Sequence, residues 1–468
     1  MFGVCELPSI SSAFHNFWSF LILLKQRNES LLKILCLLTI IQTKQLSLIV
    51  LNTYFCIWIC GVSVCKQNEM RYYNTILLFF ATILISLIQT GCKANDLLYT
   101  VPFKLYDDVA VIKVSINGSK PLNFIFDTGT TTSLIDSITA TTIGLISEDS
   151  QALLLNNDYL EMPMAKMKTL KAGNVVIQNR PVIITQSFEN YNRILGIPIN
   201  GIIGMDFFGK YITELNFDKM QINLGSNIDT TGYMPINAKI HNDLFYIDAS
   251  IFTSSTDSVS NRFLFDTADL TAISLAEPFW EKNDLLNKCR SYYSGINRSS
   301  SSHASPSYFG NFNGIGLYNY RFNNVYINLT SSKRGFFAND SIAGTIGIDI
   351  LKRFNIVINL KDEKLYLQPN KNYNDPYRIN TSGLRARLNK ELTQCIIEAV
   401  LQHSPAEEAG LTTGDIIESI NNIKADKENM SQIRKLTRSV PGTKLTFIIH
   451  RGVETKQLSF VCKEFSDK

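Results

Sequence analysis

The sequence is short of cysteine and histidine once its first hundred residues are passed. Six of its nine cysteines lie at or before residue 92, and only Cys289, Cys395 and Cys462 follow. This distribution excludes a disulfide scaffold. The five histidines are scattered, with no His-Glu-x-x-His pattern and no Cys-x-x-Cys pair. A zinc site has no support from such a sequence, and we expect no metal and no cofactor.

A large excess of charge of either sign is also absent from the sequence. The formal net charge is +4 over 468 residues, and no basic stripe with interleaved aromatic residues occurs. Nucleic acid is therefore not an expected partner. The length allows about three domains, and a hydrophobic content of 45% suits a folded protein with some membrane-directed sequence.

The first 92 residues are apolar and unlike the rest. Leu46 to Cys65 is uncharged for about 20 residues, which is long enough to cross a bilayer. A second apolar run follows Met70 and ends just before Cys92, as in a bacterial lipoprotein signal peptide, although Gln89 departs from the usual aliphatic residue. We predict a start at Met70, a lipid on Cys92 and a globular part held at the bacterial cell envelope, outside the cytoplasm. The alternative is an uncleaved anchor of one or two membrane helices.

Two apolar stretches of the remaining chain end in Asp-Thr and a small residue. They are residues 124–129 and 263–268, in which the aspartates are 139 residues apart. The segment Gly201–Asp206 likewise recurs as Gly344–Asp349, 143 residues later. The two offsets differ by only a few residues, which predicts the duplication of a unit of roughly 130 residues with insertions or deletions in loops. Each half would then offer one carboxylate.

Short apolar segments and frequent turns predict a β-rich fold of the sandwich or barrel type. Val109–Ile116 is a predicted strand, and Asn117-Gly118 after it is a hairpin turn signal. Met205–Tyr211 is the best helix candidate of the two halves. The serine-rich stretch Ser299–Ser307 is predicted to be a mobile loop, and Asn370–Pro376 a linker.

The last ninety residues have a different pattern. Ser404 is a good N-cap for a short helix that Gly410 ends. Strands are predicted at Cys395–Val400 and Lys444–Arg451, and a helix at Met430–Ser439.

Two carboxylates delivered by similar halves can share one proton, because like charges about 3 Å apart cannot both ionise. The ionised Asp127 or Asp266 can act as general base toward a bound water, and the protonated partner can donate to a carbonyl. The alternative is that both aspartates merely end strands.

These motifs resemble those of the aspartic proteases of the pepsin and retropepsin group, over about residues 98–369. The resemblance implies an all-β fold with two similar closed-barrel-like lobes in one chain, at residues 98–228 and 233–369. It implies that Asp127 and Asp266 are catalytic. It also implies that Thr128 and Thr267 tie the lobes together by hydroxyl hydrogen bonds, with Gly129 and Ala268 in support.

The second motif departs from the family pattern. Ala268 replaces the second glycine, which places a methyl group where the backbone approach is close. Asp269 adds a carboxyl near the pair. No flap tyrosine is identified, Tyr159 being the nearest candidate. A weakened or inactive second lobe therefore remains open.

Residues 378–466 look like a PDZ domain of the bacterial protease-associated type, a small β-sandwich with short helices, on the strength of the run from Ser404 to Asp415. Such domains bind an extended peptide as an added strand and capture its terminal carboxylate with backbone N–H groups. Gly383, Leu384 and Arg385 would form that loop here. The alternative is a packing domain with a blocked groove.

Together these observations predict a membrane-tethered aspartic endopeptidase that cleaves extended peptides, with a peptide or protein substrate and a peptide C-terminus as partners. The rival hypothesis is a protease-like scaffold that no longer catalyses and binds peptides through its PDZ domain. Dimerisation of the first lobe with another chain is a third possibility, against which the complete second lobe argues.

Overall fold

The computed structural model describes residues 99–155, 158–298, 304–333, 335–377 and 379–467. The predictions on residues 1–92, including the start at Met70 and the lipid on Cys92, fall outside these residues and stay predictions. Among the helices that are described, none is both long and apolar enough to traverse a bilayer. Of the residues that the structure describes, strands account for 49% and helices for 13%, which confirms a mostly-β fold.

The described residues between 99 and 225 form a closed barrel flanked by short helices. The strands are β1 (Tyr99–Tyr106), β2 (Val109–Ile116), β3 (Leu122–Phe126), β4 (Leu134–Asp136), β5 (Ser147–Leu155), β6 (Asp158–Ala172), β7 (Val175–Thr185), β8 (Gly201–Ile203), β9 (Ile212–Asn216) and β10 (Gln221–Gly225). The helices are α1 (Ser137–Thr142), α2 (Glu189–Leu195) and α3 (Met205–Phe208). Strands β2, β3, β8, β4, β7 and β6 pair in that order, and β6 returns to β2.

The described residues between 234 and 369 repeat this arrangement. The strands are β11 (Met234–His241), β12 (Leu244–Phe252), β13 (Ser258–Phe265), β14 (Ile273–Leu275), β15 (Ser291–Arg298), β16 (Ala304–Leu317), β17 (Tyr320–Thr330), β18 (Gly344–Ile346), β19 (Phe354–Asn359) and β20 (Lys364–Pro369). The helices are α4 (Glu277–Lys282), α5 (Leu285–Lys288) and α6 (Ile348–Leu351), with a 3-10 turn at Phe336–Ala338. Strands β12, β13, β18, β14, β17 and β16 close a second ring in that order.

One antiparallel sheet joins the two halves. Its strand order is β1-β10-β9-β19-β20-β11. The pairing of β9 with β19 lies at its centre, where Leu215 faces Ile356. The order of elements is therefore symmetric about this central pair, as duplication requires.

The apolar pattern of β3 explains how the aspartate after it is presented. Phe124 and Phe126 are fully buried and belong to the large core shared by the two halves. Because side chains alternate across a strand, Ile125 and Asp127 leave the opposite face. Ile125 accordingly packs in a separate apolar cluster.

The predicted turn after β2 is present. Asn117 and Gly118 both adopt positive φ angles, of 50° and 79°, which is the geometry that an Asn-Gly turn favours. The helix predicted at Met205–Tyr211 begins at Met205 but ends at Phe208.

The loop predicted at Ser299–Ser307 is wrong for its second part. Ala304 begins β16, and Ser307 is buried and pairs with residues on both sides. Phe309 of the same strand stacks on Tyr293, with ring centroids 5.1 Å apart. The packing of these aromatic rings stabilises the strand, whose first residues are rich in serine.

The segment Asn370–Pro376, predicted as a linker, is fastened to the second half. The guanidinium of buried Arg353 donates to the carbonyl oxygens of Tyr373 (3.0 Å) and Asp375 (2.6 Å). The ring of Tyr373 also packs edge-on against Phe354 at 5.6 Å. The last part of the chain is therefore not on a loose tether.

The described residues from 384 onward form a second sheet with its own core. The strands are β21 (Leu384–Leu388), β22 (Cys395–Val400), β23 (Ile416–Ile420), β24 (Ile423–Lys424), β25 (Lys444–Arg451) and β26 (Glu454–Val461), with helices α7 (Pro405–Glu408) and α8 (Met430–Thr437). The order is β21-β22-β23-β25-β26, with β24 added on β23. Strand β21 is therefore an edge strand. The predicted N-cap is confirmed, since the Ser404 side chain accepts from the Glu407 N–H.

Candidate active site

The structure brings Asp127 and Asp266 together at the junction of the two halves. Each aspartate follows an apolar strand, β3 or β13, and its N–H donates to the neighbouring strand, to Ile203 O and Ile346 O respectively, at 3.0 Å in both cases. Both carboxyl groups lie against Gly129, because its N–H donates to Oδ1 of Asp127 (2.7 Å) and a Cβ there would lie 2.6 Å from Cγ of Asp266. Two carboxyl groups placed this close together favour a state in which one of them keeps a proton.

Thr128 and Thr267 interlock beneath this pair. The Thr128 hydroxyl donates to Phe265 O (2.9 Å) and accepts from the Thr267 N–H (3.1 Å). The Thr267 hydroxyl donates to Phe126 O (3.0 Å) and accepts from the Thr128 N–H (3.1 Å). Both threonines are fully buried, so the relative position of the two aspartates is set by hydrogen bonds sheltered from water.

Gly129 and Ala268 play matching roles with their backbones and different ones with their Cβ positions. The Gly129 N–H donates to Oδ1 of Asp127 (2.7 Å), and the Ala268 N–H to Oδ1 of Asp266 (2.8 Å). A Cβ at Gly129 would lie 2.6 Å from Cγ of Asp266, so only glycine fits there. The Ala268 methyl instead packs in the apolar cluster around Ile125. The departure from glycine is therefore accommodated.

Burial is the largest cause of the raised pKa values of the pair. It raises the pKa of Asp127 to about 6, against the opposing effect of the Gly129 N–H. Burial also raises the pKa of Asp266 well above its ordinary value, and the negative charges of Asp127 and Asp269 add to the rise. The pair therefore retains a proton under conditions in which exposed aspartates have lost theirs.

Asp269 is a third carboxyl next to the pair, and burial raises its pKa as well. Its N–H donates to Oδ1 of Asp266 (3.0 Å). Its own carboxylate accepts from the Thr271 N–H (3.0 Å) and from the Thr345 hydroxyl. Asp269 therefore braces the second half behind Asp266. Within the described residues, no group of three His, Cys, Asp or Glu side chains is arranged to hold a metal ion.

Helix α2 was not predicted, although it reaches the site. Burial raises the pKa of its Tyr191, and the carboxylates of Asp127, Asp266 and Asp269 raise it further, which places this phenol in their field. The apolar spacing of Phe188, Tyr191 and Leu195, followed by a glycine, was the signal that could have found the helix. Tyr159, the nearest candidate for a flap tyrosine in the sequence, lies in β6, and its side chain is not among those that the structure describes.

The predicted carboxylate-binding loop at Gly383, Leu384 and Arg385 has internal partners. The Gly383 N–H donates to Oδ1 of Asn380 (2.9 Å), and the Leu384 N–H to Oγ of Ser382 (3.1 Å). Arg385 faces Glu398 at 3.7 Å. A peptide carboxylate would have to replace the first two bonds.

Comparison with known proteins agrees with these two parts of the chain. Residues 112–207 match the family model described as aspartyl protease, and residues 396–451 match that of the PDZ domain. Both resemblances inferred from the sequence are thereby confirmed.

Among curated proteins, the chain is similar to several named "Probable CtpA-like serine protease". That of Staphylococcus epidermidis is 28% identical over 106 residues, 22% of each chain. That of Staphylococcus aureus is 27% identical over 106 residues, 22% of this chain and 21% of the relative. That of Staphylococcus saprophyticus is 28% identical over 89 residues, 19% of this chain and 18% of the relative. The chain thus spans about a fifth of the length of these relatives.

Proposed function

We propose that this protein is an aspartic endopeptidase that hydrolyses extended peptides between two similar β lobes. The observation that carries the proposal is the close placement of the carboxyl groups of Asp127 and Asp266, on either side of the Thr128–Thr267 interlock. Two carboxyl groups with a proton between them form a combined general acid and general base.

The proposed reaction uses water as the nucleophile. One ionised carboxylate of the pair takes a proton from water while the water oxygen attacks the peptide carbonyl carbon. The other carboxyl donates its proton to the carbonyl oxygen, which gives a neutral gem-diol. The first carboxyl then gives its proton to the amide nitrogen and the C–N bond breaks, while the second carboxylate takes a proton from one hydroxyl of the gem-diol, which leaves a carboxylic acid and an amine. The pair ends with one proton, as it began.

The duplicated strand order supports the finer architecture. The two rings of strands would be the lobes at residues 98–228 and 233–369, and residues 378–466 would form the PDZ domain. The interlock of Thr128 and Thr267 would hold the lobes in register. The PDZ domain would take a peptide or protein segment along the edge of β21.

Two rival functions make different predictions. The scaffold hypothesis draws on Ala268 and Asp269, but the contacts of both residues keep the second half well ordered around Asp266. A serine peptidase is suggested by the names of the relatives, which this chain matches over only about a fifth of their length. The proposal of an aspartic mechanism rests on the Asp127 and Asp266 geometry.

The test is peptide hydrolysis by the full chain from mildly acidic to neutral pH, with Asp127→Asn and Asp266→Asn variants. Asp243→Asn, on an exposed turn, is the matched control. We expect both dyad variants to lose activity and the control to keep it. Inhibition by a statine peptide and not by a fluorophosphonate would support the aspartic type, and the reverse would favour a serine enzyme. A wild-type protein that cleaves no peptide favours the scaffold.

We also propose that residues 1–92 tether the protein to the bacterial cell envelope, with Cys92 as the lipidated residue. The support is the apolar sequence pattern alone. Mass measurement of the N-terminus of the purified protein tests it. Diacylglyceryl on Cys92 is the expected result, and an intact Met1 would contradict the processing.

A further inference from the structure

Helix α2 packs against the strands that carry Asp127. Ile125 precedes Asp127 by two residues, so both side chains leave the same face of β3. Ile125 pairs with Ile202 of β8. Both isoleucines are buried in an apolar cluster together with Leu195 of α2 and Ala268. Helix α2 therefore packs on the face of β3 that also carries the Asp127 side chain.

This packing extends across the junction of the two halves. Tyr191 of α2 packs in the same cluster as Leu270, which belongs to the second half. The charges of Asp127, Asp266 and Asp269 all act on its phenol. Helix α2 therefore lies near the aspartates and packs in a cluster that draws on both halves.

The C-terminal part of the chain holds α2 in this place. Nε of buried Arg193 donates to the carbonyl oxygen of Leu388, at the end of β21, at 2.7 Å. Gly196 follows α2 in the left-handed conformation, and a Cβ there would lie 2.6 Å from the carbonyl oxygen of Lys427. The helix contacts both β21 and α8.

A buried ion pair fastens the same C-terminal elements a second time. Arg434 of α8 lies 2.5 Å from the carboxylate of Asp107, in the turn between β1 and β2. Burial alone would raise the pKa of Asp107, but the guanidinium groups of Arg434 and Arg438 hold it below its ordinary value. Buried pairs of this kind are costly to break from one side only.

We propose that α2 is an inhibitory plug in the substrate cleft and that the C-terminal domain is the clasp that holds it there. This inference rests on the proposed peptidase function. Strand β21 is an edge strand, so an extended peptide can add along it. Such a peptide competes with Arg193 for the carbonyl of Leu388. Its binding would release α2 from the dyad and open the cleft.

Two independent variants of the full chain loosen the clasp. Arg193→Ala removes the hydrogen bond to Leu388, and Gly196→Ala inserts a methyl group against Lys427. Arg262→Ala, which removes a partly exposed arginine paired with Asp248 at 3.3 Å, is the matched control. Access to the cleft is measured by alkylation of an Ile202→Cys background, followed by mass spectrometry at position 202, and hydrolysis is measured in parallel.

We expect Arg193→Ala to speed alkylation by about tenfold or more, the effect of losing one hydrogen bond from a charged donor. Gly196→Ala should speed it as well, through the clash with Lys427, and each variant should show a matching rise in kcat/KM. The control should change neither rate. Unchanged alkylation in both variants overturns the plug. In another outcome, alkylation becomes faster while hydrolysis, although dependent on Asp127, is not accelerated. That result overturns the inhibitory role of α2. Faster alkylation without cleavage of any peptide confirms the plug over the cleft and refutes the peptidase function instead.

Discussion

Replacing Thr128 with valine removes the hydroxyl from the interlock with almost no change in side-chain shape. The variant loses a bond of 2.9 Å to Phe265 O and one of 3.1 Å from the Thr267 N–H. Both backbone groups stay buried, and a buried polar group without a partner costs about 1–3 kcal/mol. We therefore expect Thr128→Val to lower the free energy of unfolding by roughly 2–6 kcal/mol. Hydrolysis should fall as well, because the two carboxyl groups lose their register.

Denaturant unfolding followed by circular dichroism measures this loss. Thr267→Val removes the other two bonds of the interlock and should cost a similar amount. Thr141→Val, which removes only a local bond on the exposed face of α1, is the control and should stay within about 0.5 kcal/mol of the wild type. The reasoning is refuted if Thr128→Val is no more destabilising than this control.

Four further predictions concern the same site and its surroundings. Gly129→Ala should lower kcat/KM by about a hundredfold, since its Cβ would lie 2.6 Å from Cγ of Asp266. Steady-state kinetics measures this loss in a variant whose unfolding free energy matches that of the wild type. Near-wild-type activity would contradict the close packing. Because burial raises the pKa of Asp127 to about 6, activity should rise with pH through about 6 and fall where the shared proton is lost, a profile that Asp127→Asn removes. The raised pKa also means that the folded protein keeps a proton that the unfolded chain has released, so stability should decline as the pH rises from about 4 to about 6; a flat unfolding free energy over this range would oppose it. Asp107→Ala leaves the charge of Arg434 buried without its partner and should cost about 3–5 kcal/mol on denaturant unfolding, whereas a loss below about 1 kcal/mol would show the pair to be exposed in solution.

The dyad and its strands could be predicted because their signals are local. An apolar run sets β3 and β13, and the Asp-Thr that follows each run is short enough to read directly from the sequence. The repetition of Gly201–Asp206 at Gly344–Asp349 then required two similar halves. The Asn117-Gly118 turn was predicted for the same reason, since its geometry depends on two neighbouring residues.

The remaining features depend on contacts distant in the chain. The bond from Arg193 to Leu388 joins residues 195 positions apart, and no local pattern announces it. Asp107 resembles any acidic turn residue until α8 supplies Arg434. The harmless position of the Ala268 methyl follows from α2, a helix that the sequence reading left out. The serine-rich start of β16 was mistaken for a loop because its stability comes from neighbouring strands.

The central pairing of β9 with β19 has a consequence for biosynthesis. A chain emerging from the ribosome presents Asp127 long before Asp266, and the sheet that joins the two halves cannot be completed until Phe354–Asn359 has been made and has paired with Ile212–Asn216. Pairing between strands this far apart is slow relative to local folding. The two halves are therefore joined late, after most of the chain has been made.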